Sequence, residues 1–314
     1  MTPPSVTVVV PLYNGRDLIG DCLRSVPAHA ELIVVDDGST DGAPDLVARE
    51  FPAARLLRND TNRGFGATCN RGLAAAHGAV RVVLNSDARL LPGSIDSLCA
   101  AFADPDVGIA GPRLIFADGS HQTSAAAFPT PASIVTGSFL LNELARRVRP
   151  GKRFRWELGM AEADHADDRD VDWVKGACLA IRDRCFDATG GFDEAYYMYV
   201  EETDLCLRAR QLGWRVRYVA GARVVHLGQG STGDPAVHAR RYLQSEERFM
   251  VRAHGDGVLG RWAAARAAGS LAKVVALAPA AALSRRARHR WRWHWHAAGY
   301  MVRRLMSARH EEAG

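Results

Sequence analysis

The chain has 314 residues, with 40 Lys and Arg, 35 Asp and Glu, and 47% hydrophobic residues. This length and composition suit one large or two ordinary domains, and they exclude a disordered or fibrous chain. The charge is uneven: residues 258–314 hold 11 Lys and Arg against 2 Glu, a net of +9, whereas residues 1–257 hold 29 against 33, a net of −4. A basic tail on a slightly acidic body indicates an acidic partner for the tail.

Three further classes of protein are not expected. The most apolar segment, 271–283, is short and contains Lys273 and Pro279, so no membrane-spanning helix is predicted. No basic residues precede the apolar run at 6–10, which therefore predicts a first strand rather than a secretory signal. The six cysteines form no C-x-x-C pair, which predicts free thiols in a reducing cytosol and no zinc site.

The first 115 residues alternate between short β-branched runs and helical stretches. The predicted strands cover 6–10, 32–35, 55–57, 80–84 and 108–114. The predicted helices cover 17–25, 43–50, 67–76 and 94–103. This alternation is typical of βαβ units around a parallel sheet.

The second half begins with Asp118-Gly119, which predicts a hairpin turn after the strand at 108–114. Residues 120–172 are rich in Pro, Ala and charge, and they predict long loops near a site. The later predicted strands are 171–181, 216–219 and 223–226, and the later predicted helices are 183–188, 202–212 and 236–254.

Polar or acidic residues follow each of the first four predicted strands. One such turn is ordinary capping chemistry, but in an open α/β sheet ligands bind beyond the carboxyl ends of the strands. Four turns at one edge therefore predict a binding crevice. The first strand is followed by neither G-x-G-x-x-G nor a Walker A lysine motif, so a dinucleotide oxidoreductase and a P-loop protein are not expected.

The chain resembles the family 2 glycosyltransferases of the GT-A fold, in their bacterial rhamnosyltransferase-like branch. The matching segments are VVVPLYN at 8–14, VVDDGSTD at 34–41, NRGFG at 62–66 with Asn70, LNSDA at 84–88, WVKGACL at 173–179, GGFDE at 190–194, YVEETDLCLR at 199–208 and VVH at 224–226. The resemblance implies an α/β protein with a Rossmann-like, mostly parallel central sheet, helices on both faces and a helical C-terminal tail. The expected catalytic domain is 1–257, with a nucleotide-sugar half at about 1–115 and an acceptor half at about 116–257, and 258–314 is the tail.

The resemblance also implies a donor site. Its expected residues are Pro11, Tyr13, Asn14, Asp37, Asn62, Gly64, Phe65, Asn70, Asn85 and Asp87. Asp37 is expected to accept the ring N3–H of a uracil or thymine, and Asn62, Phe65 and Asn70 are expected to complete the base and ribose pocket. Asp87 stands at the family's D-x-D position and is expected to hold Mg²⁺ or Mn²⁺ against the diphosphate, although Asn85 replaces the first Asp of that motif. His226 is the second expected metal ligand, and imidazole suits Mn²⁺ better than Mg²⁺.

The expected catalytic base is Glu202, selected by the family register from three carboxylates at a predicted helix start. Glu201 and Asp204 are the alternatives and are otherwise placed on the acceptor side, and acidic residues at a helix start also simply complement its dipole. Asp204 is better explained as an ion-pair partner for Arg208, four residues later. Trp173 and Gly176 belong to the expected acceptor side, with Trp173 either stacking on a sugar or serving as a core aromatic.

The resemblance implies an inverting, metal-assisted glycosyl transfer to a glycan or polyprenyl-diphosphate-linked acceptor in cell-wall or surface-polysaccharide synthesis. The expected donor is a dTDP- or UDP-linked sugar, with L-rhamnose from dTDP-L-rhamnose as the specific expectation. A non-catalytic nucleotide-sugar-binding protein on the same fold is the alternative.

On a helical reading the tail presents an apolar stripe beside a basic one. The apolar stripe is Trp291, Trp295, Ala298, Val302 and Leu305, and the basic stripe is Arg288, Arg292, His296 and Arg303. This pattern predicts a helix on an anionic membrane surface, with packing against the body as the alternative and no nucleic-acid role. The expected location is cytoplasmic, peripheral on the inner face of the cell membrane.

Overall fold

The computed structural model describes residues 5–138, 165–228 and 234–311. These described residues fall into two compact units. One unit contains residues 5–126 and 165–228, and the other contains 127–138 and 234–311.

The first unit contains all the described strands and six helices. The strands are β1 Val6–Leu12, β2 Glu31–Asp36, β3 Arg55–Arg58, β4 Val80–Leu84, β5 Ala88–Leu90, β6 Val107–Ile115, β7 Ala125–Ala126, β8 Arg169–Asp170, β9 Trp173–Val174, β10 Cys178–Arg182 and β11 Arg215–His226. Its helices are α1 Arg16–Arg24, α2 Ala43–Glu50, α3 Phe65–Ala74, α4 Ser94–Ala100, α6 Asp183–Thr189 and α7 Glu201–Gln211. The second unit contains α5 Pro131–Ser138, α8 Pro235–His254, α9 Leu259–Leu283 and α10 Arg285–Glu311.

The central sheet has the strand order β3-β2-β1-β4-β10-β6-β11-β5, and β8 pairs with β11. Six strands run in one direction (β1, β2, β3, β4, β6 and β11), whereas β5, β8 and β10 run in the other. The expected α/β architecture with a mostly parallel sheet is therefore confirmed.

The apolar residues of the first strand explain its central position in the sheet. Every residue of β1 is buried, as expected for a parallel strand that is covered on both faces. Helix α3 lies directly on this strand, because a Cβ at Gly72 would lie only 2.3 Å from Val9 Cγ1. A glycine is therefore required where the helix meets the sheet.

The strand order creates a crevice where β1 lies between β2 and β4. The chain leaves β1 to one side for β2 and reaches β4 on the other, which is the switch point at which open α/β sheets bind ligands. Strand β10 is antiparallel and begins at this same edge, since Cys178 pairs with Leu84. The residues after β1, β2 and β4 therefore meet the residues before β10.

Two strand predictions differ from the structure. The sequence predicts one strand over 171–181, but β9 and β10 belong to different sheets and are separated by 175–177, whose backbone turns toward α7. The sequence also predicts two strands at 216–219 and 223–226, but β11 is one strand with a register shift between Val219 and Arg223. The hairpin turn is confirmed, because the Phe116 N–H donates to the Ser120 carbonyl at 2.8 Å. Of the loop predicted over 120–172, residues 139–164 lie outside the described residues.

The second unit is a helical assembly joined by a buried ionic cluster. The Glu246 carboxylate on α8 accepts hydrogen bonds from Trp262 Nε1, at 3.1 Å, and from two nitrogens of Arg266, both residues lying on α9. Helix α10 is covered through Ala297 and Met301, which are both fully buried. Among the described residues, α8 belongs to the same compact unit as the tail helices α9 and α10. The predicted end of the catalytic domain at residue 257 stays a prediction.

The tail differs from the sequence prediction in two ways. Helix α9 continues through Lys273 and Pro279, and the helical stretch Asp256–Leu283 is long and apolar enough, by length and composition alone, to cross a membrane. The exclusion of a spanning helix therefore does not hold. The predicted apolar stripe on α10 is also divided, because Ala298 is buried whereas Trp295 is exposed.

Candidate active site

The loops after β1 and β2 are held together by side-chain to backbone hydrogen bonds. The Asn14 N–H donates to Ser39 Oγ at 2.9 Å, and Asn14 Oδ1 accepts from the Thr40 N–H at 2.8 Å. Asn14 has a φ of 49°, a left-handed conformation that Asn tolerates better than most residues. Tyr13 is 52% exposed beside this junction, whereas Pro11 lies buried within β1 opposite Val35.

The Asp37 carboxylate is buried and is already held by three donors. Its Oδ1 accepts from Asn59 Nδ2 at 2.7 Å and from the Arg63 N–H at 2.9 Å, and its Oδ2 accepts from the Gly64 N–H at 3.1 Å. A carboxylate offers about four acceptor positions, so one position on Oδ2 is available for a further donor. The three donors fix the orientation of this carboxylate before any ligand arrives.

The segment 62–65 is clamped by Tyr197, which lies in the half of the unit assigned to the acceptor. Tyr197 donates its hydroxyl to Asn62 Oδ1 at 2.6 Å, and its carbonyl accepts from the Phe65 N–H at 3.1 Å. Gly64 has a φ of 91°, and a Cβ there would lie 2.5 Å from the Tyr197 carbonyl oxygen. Only glycine fits this contact.

Asn70 is directed toward a loop of the same unit. Its Nδ2 donates to the Phe192 carbonyl at 2.8 Å, and its Oδ1 accepts from the Phe192 N–H at 2.8 Å. Phe192 in turn makes an edge-to-face contact with Phe65, with ring centroids 6.0 Å apart. Asn70 therefore holds the 190–194 loop against α3, and its role in the base and ribose pocket stays a prediction.

The loop after β4 brings Asp87 close to His226, and Asn85 lies two residues earlier in the same loop. His226 pairs with Ala88 in the sheet, and its Nε2 lies 3.4 Å from Asp87 Oδ1. Both side chains are largely buried. Asn85 Oδ1 is also buried and, within the described part of the chain, has no hydrogen-bond partner.

These donors fit a hard divalent cation. Neighbouring ligands of an octahedral Mg²⁺ or Mn²⁺ at about 2.1 Å lie about 3.0 Å apart, close to the separation of His226 Nε2 and Asp87 Oδ1. No cluster of three His, Cys, Asp or Glu side chains suited to a metal occurs in 5–138, 165–228 or 234–311. Asp87 and His226 thus have the ligand types that suit Mg²⁺ or Mn²⁺, and their role as metal ligands stays a prediction.

Glu202 and Glu201 begin helix α7 as a buried pair of carboxyl groups. Glu202 is 9% exposed, and its Oε1 accepts from the Gly176 N–H at 3.2 Å. Among the described residues, Oε2 of each of these two side chains is buried without a hydrogen-bond partner. Burial and the neighbouring charge of Glu202 raise the pKa of Glu201 well above its ordinary value. Burial and this neighbouring charge therefore favour the protonated form of Glu201.

Asp204 has the structural role that the sequence analysis preferred for it. Its Oδ2 accepts from Arg208 Nε at 2.7 Å, and its Oδ1 accepts from the Tyr196 hydroxyl at 3.1 Å. Arg208 also donates to the Thr189 and Gly191 carbonyls. This network, in which Asp204 is fully buried and the Arg208 side chain is 16% exposed, joins α7 to the loop that follows α6.

Trp173 lies in the protein interior. Its side chain is only 8% exposed, and Lys175 Nζ lies 5.7 Å from the ring centroid. This burial fits a core aromatic, which was one of the two interpretations left open, better than a platform for a sugar.

Two residues of the site were not assigned by sequence reasoning. Asn59 orients Asp37, and Tyr197 orients Asn62. The position of Asn59 directly after β3 was a usable signal, whereas Tyr197 lies 135 residues from its partner and no local pattern indicated the contact.

Comparisons with known sequences identify relatives. The sequence model of glycosyl transferase family 2 matches residues 7–155. The chain is 34% identical over 237 residues to an N-acetylglucosaminyl-diphospho-decaprenol L-rhamnosyltransferase of Mycobacterium tuberculosis, a match that covers 71% of this chain and 75% of the relative. It is 30% identical over 234 residues to a pre-mycofactocin glycosyltransferase of the same species, covering 71% of this chain and 44% of that relative.

Solved structures share the fold. A mannosyltransferase from Pyrobaculum calidifontis, in complex with GDP-Man and Mn²⁺, superposes with a TM-score of 0.55 at 21% identity, covering 96% of this chain and 87% of that one. Residues 1–349 of TarS from S. aureus, in complex with UDP, superpose with a TM-score of 0.51 at 15% identity, covering 94% and 91%.

Proposed function

This chain belongs to the family 2 glycosyltransferases, in their rhamnosyltransferase-like branch, and we propose that it transfers L-rhamnose from dTDP-L-rhamnose to a polyprenyl-diphosphate-linked sugar with inversion at the anomeric carbon. The transferred sugar and the acceptor class follow the name of the M. tuberculosis relative, and the dTDP nucleotide follows the resemblance described in the sequence analysis. The observation that carries a catalytic role is the buried Glu202, whose one carboxylate oxygen is held by Gly176 while the other has no partner among the described residues.

The donor site is supported by the preorganised Asp37. The remaining acceptor position on Oδ2 suits the N3–H of thymine or uracil. Guanine presents a different pattern of hydrogen-bond donors and acceptors. Asn62 and Phe65 belong to the segment 62–65, and Tyr197 holds this segment in place through hydrogen bonds to both residues.

A divalent cation, Mg²⁺ or Mn²⁺, would be held by Asp87 and His226. When bound, it supplies positive charge that stabilises the leaving diphosphate. Asn85 Oδ1, which has no hydrogen-bond partner among the described residues, is a further oxygen on the loop that carries Asp87.

Glu202 acts as the general base. Its Oε2 accepts the proton of the acceptor hydroxyl as the hydroxyl oxygen forms a bond to the anomeric carbon, and the bond from that carbon to the nucleotide diphosphate breaks. The attack comes from the face opposite the diphosphate, so one displacement inverts the configuration. Glu201 is kept from adding a second negative charge, because burial and the charge of Glu202 favour its protonated form.

The tail is the part of the chain that we assign to the cytoplasmic face of the membrane. Val275 and Leu283 on α9 are 75% and 90% exposed, and Arg285 and Arg288 follow at the start of α10. Apolar side chains beside cations favour an interface with anionic lipid, and each basic residue near the surface contributes about 1 kcal/mol. Only 22% of the apolar window in this helix is buried, which argues against a core helix.

The proposed activity is tested by incubating the protein with dTDP-L-rhamnose, a lipid-linked diphospho-sugar acceptor and Mn²⁺, and by measuring nucleotide release and the anomeric configuration of the product.

Stabilisation against heat by dTDP- or UDP-sugars, but not by GDP-sugars or NAD, is expected in parallel, since a specific ligand raises apparent stability. Donor stabilisation without transfer or donor hydrolysis would favour the alternative, a nucleotide-sugar-binding protein. Full activity after EDTA treatment and dialysis would refute the metal site.

Membrane association is tested by sedimentation with anionic vesicles. Val275→Gln together with Leu283→Gln should weaken binding, and raised salt should weaken it further. Leu212→Gln, at an exposed leucine in the first unit, is the control and should change nothing. Truncation after 257 is unsuitable, because it leaves the buried Glu246 without Trp262 and Arg266. Equal binding by the double variant would show that the exposed face of α9 is not the membrane contact.

A further inference from the structure

Gln122 contacts the ring of His226 on the side away from Asp87. Gln122 Oε1 lies 2.8 Å from His226 Nδ1, and His226 Nε2 lies 3.4 Å from Asp87 Oδ1. An amide oxygen only accepts hydrogen bonds, so Nδ1 must carry the proton in this contact. In the neutral ring, Nε2 then presents its lone pair to the carboxylate.

A positive charge between these two acceptors satisfies both of them, and it is supplied either by a second proton on the ring, which would then pair with Asp87, or by a metal ion. A divalent cation satisfies both, and an imidazole that binds a metal commonly donates its other N–H to a neighbouring oxygen, which fixes the tautomer and the ring orientation. The backbone of Gln122 is held in place by two hydrogen bonds. Its backbone N–H donates to the Leu114 carbonyl at 3.0 Å, and its backbone carbonyl accepts from Ser124 Oγ at 2.9 Å.

We propose that Gln122 is a positioning residue that fixes the tautomer and orientation of His226, so that unprotonated Nε2 faces Asp87 and the cation. This inference rests on the metal site of the proposed function. It assigns a role to a residue that lies 104 positions from His226, in the hairpin that follows β6.

The first test reads the tautomer directly and needs no metal. Long-range ¹H–¹⁵N correlation spectra of the metal-free protein at about pH 8.5, where imidazole is neutral, report which ring nitrogen carries the proton. The His226→Gln variant identifies the signal. Wild type should have the proton on Nδ1, Gln122→Leu should lose this preference, and Gln122→Glu, which keeps an acceptor, should restore it.

The second test measures Mn²⁺ binding in the presence of UDP by electron paramagnetic resonance of free Mn²⁺. Gln122→Leu should weaken binding about 10- to 100-fold, the usual effect of removing a partner of a ligating histidine, and Gln122→Glu should weaken it much less. Gln211→Leu, at an exposed glutamine at the end of α7, is the matched control and should bind as wild type does.

The proposal is overturned if the wild-type ring carries its proton on Nε2, or if Gln122→Leu leaves the tautomer or the Mn²⁺ affinity unchanged. His226→Ala separates this result from a failure of the proposed metal site. If His226→Ala binds Mn²⁺ as tightly as wild type, His226 is not a ligand, and the role of Gln122 at the metal falls with it even where the tautomer is as expected.

Discussion

Replacing Glu202 by Gln tests the assignment of the catalytic base. The Gln side chain has the same shape, and its Oε1 keeps the hydrogen bond from the Gly176 N–H, so the fold and donor binding should persist. Oε2, which has no partner in the part of the chain that the structure describes and receives the proton in our mechanism, becomes an amide nitrogen that accepts none. Turnover should fall about 10²- to 10⁴-fold, the usual worth of general-base catalysis, which corresponds to about 2.7–5.4 kcal/mol of barrier.

The measurement is single-turnover transfer with saturating donor and acceptor, combined with calorimetric titration of the donor. Glu201→Gln is the matched control, because burial and the charge of Glu202 already raise the pKa of Glu201 and favour its protonated form, which Gln mimics. It should lower turnover less than about tenfold, well below the range expected for a base.

Wild-type turnover in Glu202→Gln would refute this reasoning. If Asp204→Asn were inactive while retaining wild-type stability and donor affinity, the base would be Asp204. The buried ion pair of Asp204 with Arg208 at 2.7 Å argues against that outcome, since it occupies the carboxylate.

Three further predictions concern stability and the donor loop. The pKa of Glu201 is raised in the folded state, so its favourable contribution to stability is complete below its ordinary pKa of 4.5 and is lost as the pH rises through the folded-state pKa. In urea unfolding, Glu201→Gln should therefore become increasingly more stable than wild type above about pH 4.5. It should show no such gain below that pH. Asp204→Asn should lower the free energy of unfolding by about 2–3 kcal/mol through the loss of the buried charge that pairs with Arg208, and an unchanged urea midpoint would contradict this. Gly64→Ala should lower the melting temperature and weaken donor binding, because a Cβ would clash with a backbone carbonyl at 2.5 Å. Gly255→Ala is the control, because its φ of 77° and ψ of 168° resemble the φ of 91° and ψ of 168° at Gly64 and a Cβ there meets no atom within 4 Å, so equal losses of melting temperature would refute the clash.

Features that depend on neighbours in the chain could be predicted from the sequence. The buried strand β1, the turn at Asp118-Gly119 and the pairing of Asp204 with Arg208 each depend on residues no more than seven positions apart. Local periodicity and turn chemistry are sufficient for such features. The edge of the sheet at which the site lies was also predictable, because parallel strands align their carboxyl ends.

The contacts that arrange the site were decided by the tertiary structure. Gly176 meets Glu202, Tyr197 meets Asn62 and Gln122 meets His226 across 26, 135 and 104 residues. No local pattern specifies such contacts, since they depend on the strand order and on where β10 enters the sheet. The raised pKa of Glu201 likewise comes from burial and a neighbouring charge, whereas the sequence alone indicated only an acidic helix start.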